Sequence, residues 1–535
     1  MHASSLESAV SWLNGIIWNP GFIWLILAVG LFYSIMTRFV QVRHLGEMCR
    51  LLLRSGGQSE HGISSFQAMT VSLSGRVGIG NIAGVAAAIG FGGPGAVFWM
   101  WLGAFFGAAT AYVESTLAQI YKTRDPATGQ HIGGPAYYFE RCLGWKWYGI
   151  LFAVAAVISC GIFLLGPQAN GMTNAVVQVL GEGTPVNSGI AGEIGIYRLT
   201  ATAFILVLLG FIIFGGIKRI ANFAEVVVPF MALGYIGLAL LILVLNFTQI
   251  PHLIGLIIGD AFTAQAGFGA AIGWGVKRGI YSNEAGQGTG AHPAAAADVE
   301  HPVQQGLIQA FSVYITTLLV CSATALIILT TGQYNVVANE TFAGAQTQYI
   351  VAYLHDAAGA VKHIDPNTTA FTQEAMHSVF GATGPVLVAV ATFFFAFTTI
   401  LAYYYIAETN IIYLAHKLGL RRNATLIVKI SAMLAVGYGS INSAGYIWNI
   451  GEIGVGMTTW LNIIGMLIIF FTVGRPTVVA LYDYERQQKA NLPVYTFDPQ
   501  ALGIKGATFW EDKLRQQAAA DKAQEEAPQT PQGEL

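Results

Sequence analysis

The chain has 535 residues, 54% hydrophobic and only 10% charged, with a net charge of −2. Soluble domains run near a quarter charged, so this composition excludes a soluble globular protein. The near-neutral balance gives no hold on nucleic acid, and Cys49, Cys142, Cys160 and Cys321 lack the spacing of a disulfide framework or a metal site.

Apolar runs recur from end to end, and a bilayer-crossing helix needs about 20 apolar residues. Eleven spans are predicted, and lipid requires all of them to be helical. The leading span covers about 18–40. Ten more lie near 64–89, 95–121, 148–180, 197–217, 222–247, 262–285, 303–330, 378–412, 423–440 and 445–472. The first apolar run lacks a basic N-terminal flank and continues to about residue 40, which argues against a cleaved signal. Residues 331–377 read as a polar external insertion with a surface helix over Ala343–Leu354. From about 486 the chain reads as a polar cytoplasmic tail, largely disordered beyond about 515.

Placing the N-terminus outside puts nearly every Lys and Arg between spans on the cytoplasmic side, including Arg421 and Arg422. Only Arg198 and Lys362 then fall outside, while Arg76, Lys277 and Arg278 lie within spans. The positive-inside rule therefore selects this orientation, in a bacterial inner membrane. The organisation that follows is residues 1–63 as leading span and linker, 64–247 as one five-span set, 248–485 as a second, and 486–535 as the tail.

Five is odd, so the second set is inverted relative to the first. The opening span of set one carries Gly75-Arg76-Val77-Gly78-Ile79-Gly80-Asn81. The opening span of set two carries Gly267-Phe268-Gly269 and Gly273-Trp274-Gly275-Val276-Lys277-Arg278-Gly279. Each glycine costs a helix about 1 kcal/mol relative to alanine. Paired interruptions in corresponding spans of two halves point to a midplane binding site in an inverted-repeat transporter. Freed N–H groups at such a break can hold a carboxylate, and freed carbonyls can hold Na⁺. Close helix packing is the other use of Gly-x-Gly in a membrane. Neither Gly78-x-Gly80 nor Gly286-Gln287-Gly288-Thr289-Gly290 has the spacing of a nucleotide loop.

Charges at membrane depth are costly, so Arg76, Glu114, Lys277, Arg278 and Glu284 are candidates for an inner gate or a helix brace. In this reading Arg76, Lys277 and Arg278 lie on the cytoplasmic side of the site, and some of them pair with Glu284 or Glu114, with snorkelling toward the cytoplasmic surface as the other reading of Lys277 and Arg278. A channel would need a lined pore, and no ring motif is present. An enzyme is disfavoured too, because His292 and His301 stand near Asp298 and Glu300 with no catalytic or ligand spacing.

Several motifs are recognisable together. Gly78-Ile79-Gly80-Asn81-Ile82-Ala83-Gly84-Val85-Ala86, Gly92-Gly93-Pro94-Gly95-Ala96 and Phe98-Trp99-Met100-Trp101 resemble the signature of the alanine or glycine:cation symporter family. Gly133-Gly134-Pro135-Ala136-Tyr137-Tyr138 and Ser282-Asn283-Glu284-Ala285-Gly286 do so as well. The resemblance covers roughly residues 18–485. It implies a LeuT-type fold of ten core helices plus a leading one, in an all-α membrane protein. It implies Na⁺-coupled uptake of alanine or glycine, sometimes the D-isomer, with H⁺ replacing Na⁺ in some members. Membrane lipid and a small amino acid are the implied partners. No organic cofactor is implied, and the oligomeric state stays open. By motif, the backbone at Gly78, Ile79 and Gly80 takes the substrate carboxylate. Asn81 orders the break or the substrate, and Gln168 supplies a polar contact. Gly273, Trp274 and Gly275 supply the second break, with Trp274 capping a small pocket. The implied Na⁺ ligands are the Ser74 and Val77 carbonyls with the Thr398 and Thr399 hydroxyls, and Phe395 stands where the pattern has a small residue.

Overall fold

Pro20 has no N–H to lose and a φ suited to a helix start, so the first apolar run does not form one rod. It forms α1 (Ser5–Ile17) and α2 (Pro20–Met36), bent by 40°. Asn19 caps α2, its side-chain oxygen accepting the Phe22 N–H at 3.2 Å. The structure, a computed structural model, describes residues 5–54, 62–187, 192–263, 268–338, 342, 344–356, 358–419 and 423–526. Gly267, Ala343, Arg421, Arg422 and the last nine residues lie outside these ranges.

Two elements follow as short halves, α3 (Ser65–Arg76) and α4 (Ala83–Gly92). Next come α5 (Ala96–Ile120), α6 (Lys146–Leu180), α7 (Ile196–Ile213) and α8 (Gly216–Leu245). A second pair of short helices is α9 (Phe268–Asn283) and α10 (Ala291–Ala296). The series closes with α11 (Pro302–Thr331), α12 (Thr383–Leu418), α13 (Ala424–Ile441) and α14 (Ala444–Val473). Among the described residues, eight of these helices are long and apolar enough to cross a membrane, or nine if the bent α1–α2 pair counts as one. Three of them contain a wide, π-type turn, at Ser159–Phe163 in α6, Ile315–Cys321 in α11 and Ile469–Val473 in α14. The split helices lie together, α4 against α9 and α3 against α10.

Three expectations need correction. Helix α9 runs unbroken through Gly273-Trp274-Gly275. Gly275 serves packing instead: a Cβ there would lie 2.7 Å from Trp99 Cβ, on the opening turns of α5. The helix ends further on, where Glu284 (φ 57°), Gly286 (φ 87°) and Gly288 (φ 79°) take left-handed conformations. In the external insertion, the described part of the expected helix is one turn at Gly344–Gln346 and a strand at Tyr349–Ala352. That strand pairs antiparallel with Asn335–Val337, whose Val336 and Val337 are buried. β-Branched residues suit that half-buried ladder better than a helix.

The tail is the third. It continues as α15 (Pro476–Lys489) and α16 (Thr508–Glu526), helical well past residue 515. Trp510 is buried, and its Nε1–H donates to the Gln119 carbonyl at 2.8 Å. Lys122 lies 4.6 Å from the centre of the Phe509 ring. Trp510→Ala should cost about 3–5 kcal/mol of packing. Limited proteolysis should then cut the tail near residue 500 far faster than in the native chain; equal rates would mean the docking contributes little.

Candidate functional site

The first break follows from where its N–H groups go. Helix α3 opens with a reciprocal cap, Ser64 and Gln67 each accepting the other's backbone N–H at 3.1 Å. At its far end Val77 leaves helical geometry (φ −104°, ψ 77°). The Gly78 N–H donates to Asn81 Oδ1 and the Ile79 N–H to Gln168 Oε1, both at 2.9 Å. In a continuous helix those two hydrogens would go to the carbonyls of Ser74 and Gly75. The Asn81 N–H turns to the Gly78 carbonyl at 3.1 Å, which frees the Val77 carbonyl in the same way. Three main-chain oxygens are thereby released in one turn.

One is met by a side chain from another helix. The Thr399 hydroxyl on α12 lies 2.7 Å from the Ser74 carbonyl and 2.9 Å from the carbonyl of Phe395. It has one hydrogen to share between them. Thr398 instead bonds back to Phe394 and Phe395, at 2.9 and 3.1 Å. Gly78 cannot carry a side chain, because a Cβ would sit 2.5 Å from Thr399 Oγ1 and 2.8 Å from Gln168 Oε1. Gly80 packs on α9, where a Cβ would lie 3.0 Å from the Tyr281 ring. Ile79, Gly80 and Asn81 are fully buried, so the break is closed over in this state.

These contacts refine the expectations for two side chains. Asn81 orders the break, since its Nδ2 also reaches the Thr316 carbonyl and Cys321 Sγ, both at 3.3 Å. Gln168 occupies a break N–H rather than an open cavity wall. Trp274 does not cap the first break. Its ring stacks on Phe91 with centroids 4.6 Å apart. It lines a separate cavity of about 660 Å³ together with Trp18, Asn19 and Lys277.

The second break is held by buried polar side chains. Glu114 on α5 accepts the Gly288 N–H at 3.0 Å and Asn462 Nδ2 at 2.9 Å. Asn462 also donates to the Gly286 carbonyl at 3.0 Å, and Tyr138 donates to its side-chain oxygen. Glu284 accepts from the Thr289 hydroxyl at 2.8 Å. Arg76 reaches in from α3, bonding the Gln309 carbonyl at 3.1 Å and the Ser312 hydroxyl, with Glu114 Oε1 at 3.9 Å.

Lys277 and Arg278 form a separate cluster. They precede the second break instead of following it, and neither pairs with Glu114 or Glu284. Both bridge to Glu452 on α14, Arg278 at 3.0 Å. The Arg278 guanidinium lies 4.2 Å from the Trp448 ring centre, and Asn14 on α1 donates to Glu452 at 2.6 Å. Glu452, Asn462, Gln309 and Tyr281 escape a sequence reading. Only the presence of a carboxylate within an apolar run singles out Glu452.

Discontinuous helices lying side by side, with freed carbonyls at one break and buried charges at the other, define a membrane transporter of the LeuT type. The crystal structure of MhsT in complex with L-phenylalanine shares the fold: TM-score 0.55, 14% identity, 84% of this chain and 97% of that one covered. The chain belongs to the sodium:alanine symporter family, whose model matches residues 3–497. YrbD of Bacillus subtilis is 52% identical over 507 residues, 94% of this chain and 97% of that protein. A protein of Bacillus strain PS3, named sodium/proton-dependent alanine carrier protein, is 44% identical over 466 residues, 86% and 96% of the two chains. The protein is thus a multi-pass membrane transporter and not an enzyme.

Proposed function

We propose that the protein imports small neutral amino acids, alanine or glycine, with D-alanine as a further candidate, with Na⁺ by alternating access. The observation that carries this is the Thr399 hydroxyl set 2.7 Å from the freed Ser74 carbonyl. Na⁺ is a hard cation, and it would sit among the Ser74 and Val77 carbonyls and the Thr398 and Thr399 hydroxyls, Thr398 turning from its own helix to do so. The substrate carboxylate would replace the amide oxygen of Gln168 at the Ile79 N–H. The ring of Tyr281 beside Gly80 would restrict the bound side chain to a small one. In this reading eleven spans form, two of them the interrupted pairs, and residues 64–247 and 248–485 are inverted repeats in a bacterial inner membrane. The N-terminus is outside and the tail cytoplasmic. A second reading, H⁺ as coupling ion, is favoured by the buried carboxylates around Arg76.

Uptake of labelled alanine into liposomes, with and without a Na⁺ gradient, tests the proposal. Unlabelled glycine, serine, D-alanine and proline as competitors define the pocket. Uptake should rise under the Na⁺ gradient and should be blocked by glycine; uptake indifferent to every ion gradient sinks the symport reading. Thr399→Val removes one oxygen ligand, worth about 1.4 kcal/mol. The Na⁺ concentration for half-maximal uptake should then rise roughly tenfold. An unchanged Na⁺ dependence would place the ion elsewhere.

A further inference from the structure

The second break holds an odd number of charges. Arg76 and Glu114 are fully buried, and Glu284 is 1% exposed. One guanidinium therefore faces two carboxyl groups. The groups around Glu284 are Arg76 on α3, Glu114 on α5, Cys160 on α6, Tyr281 on α9, Thr289 in the break and Tyr403 on α12. Tyr138 faces Glu114. Arg76 is the one basic residue in this set. With both carboxyls ionised the cluster would carry an uncompensated buried negative charge, which is strongly unfavourable.

The hydrogen bonds distinguish the two carboxyls. Glu114 accepts from the Gly288 N–H and the Asn462 amide, groups that can only donate. The Asn462 amide cannot rotate freely, because its oxygen already accepts from Tyr138. Both partners therefore favour an ionised Glu114, the natural counter-ion of Arg76. Glu284 meets a hydroxyl, that of Thr289 at 2.8 Å, and its other oxygen is buried with no hydrogen-bond partner among the described residues. A hydroxyl can donate to a carboxylate or accept from a carboxylic acid. The surroundings of Glu284 thus suit both protonation states, and those of Glu114 suit one.

Position adds a release route. Glu284 is the first residue of the break, held at φ 57°, a left-handed conformation uncommon for a residue with a side chain. Thr289 lies on the approach to α10, and Arg76 packs against Gly290 next to it. Any movement of α10 changes both groups together.

We propose that Glu284 is a proton-carrying site of the transport cycle, with Glu114 as the fixed partner of Arg76. A proton from external water adds to the Glu284 carboxylate before the site closes. When α10 moves away with Thr289, water reaches the carboxyl and the proton leaves to the cytoplasm. This deepens the symport reading above and rests on it.

The test uses the full-length chain in liposomes, with equal Na⁺ on both sides and an inward gradient of about one pH unit, a roughly tenfold proton ratio. Wild-type uptake of labelled alanine should rise several-fold under the gradient. In Glu284→Gln the ratio with and without the gradient should fall to unity. Glu114→Gln should lose the response as well, because Arg76 is then balanced by Glu284 alone and no proton is needed. A wild-type ratio in either variant, or no response in the wild type, overturns the proposal. Infrared spectra of the purified proteins give a second readout that needs no substrate. A protonated-carboxyl band should be present in the wild type and absent from Glu284→Gln; a band that persists overturns the assignment. If the wild type takes up no alanine under any gradient, the symport reading fails, and the infrared band still decides the proton site.

Discussion

Replacing Gly78 with alanine is expected to lower uptake by at least roughly 100-fold, the loss that follows when a binding group is displaced by about 1 Å. The added methyl would sit 2.5 Å from Thr399 Oγ1 and 2.8 Å from Gln168 Oε1, so one of them must leave. Thr399 is tied to the Ser74 carbonyl and Gln168 to the Ile79 N–H, and both bonds belong to the break. Insertion and yield should stay near normal, since the change adds one methyl to a helix end. Gly273→Ala is the contrast. Nothing lies within 4 Å of a Cβ there, so that variant should transport. If Gly273→Ala is dead and Gly78→Ala active, the second interrupted span works where its glycines cluster and not at Glu284–Gly288.

The second large effect concerns stability. Glu452→Gln removes the carboxylate that Lys277 and Arg278 share, in a region where Arg278 is 1% exposed. Breaking a buried ion pair by removing one partner costs about 3–5 kcal/mol. The variant's midpoint in a thermal melt of detergent-solubilised protein should fall accordingly. Adding Lys277→Met restores the original charge balance and should recover most of the loss. A double variant no more stable than the single one would mean that Glu452 acts through packing or through its bond to Asn14, not through charge.

Much of the architecture was legible because lipid leaves few options. The run near 95–121 forms Ala96–Ile120, and the run near 148–180 forms Lys146–Leu180. Length and apolarity settle such helices without reference to their neighbours. The first break was legible for a related reason, since two glycines flank Ile79 and a side chain able to cap them, Asn81, follows. The second was misplaced because a helix glycine has two uses. Gly275 admits Trp99, a fact about another helix, whereas Gly286 and Gly288 sit at positive φ. Composition cannot separate these. Charge partners were hidden for the same reason. Arg278 and Glu452 are distant in sequence, and only the long side chains that reach between α9 and α14 bring them together, with Tyr281 beside Trp448.

The wide turn in α11 has a consequence of its own. Before it, the helix presents Gln309 and Ser312 to Arg76. Within it and after it, Thr316, Cys321 and Thr324 hold Asn81, the last through a 2.6 Å bond to its carbonyl. A π-type turn carries one surplus residue, which offsets the angular phase of everything beyond it. Deleting Leu318 would return the helix to regular winding and rotate its far half by about 100° relative to the near half. Arg76 would keep its acceptors and Asn81 the Thr316 carbonyl, while Asn81 lost its contacts with Cys321 and Thr324. The surplus residue acts as a phase shifter, letting one rod serve two addresses that a regular helix could not face at once.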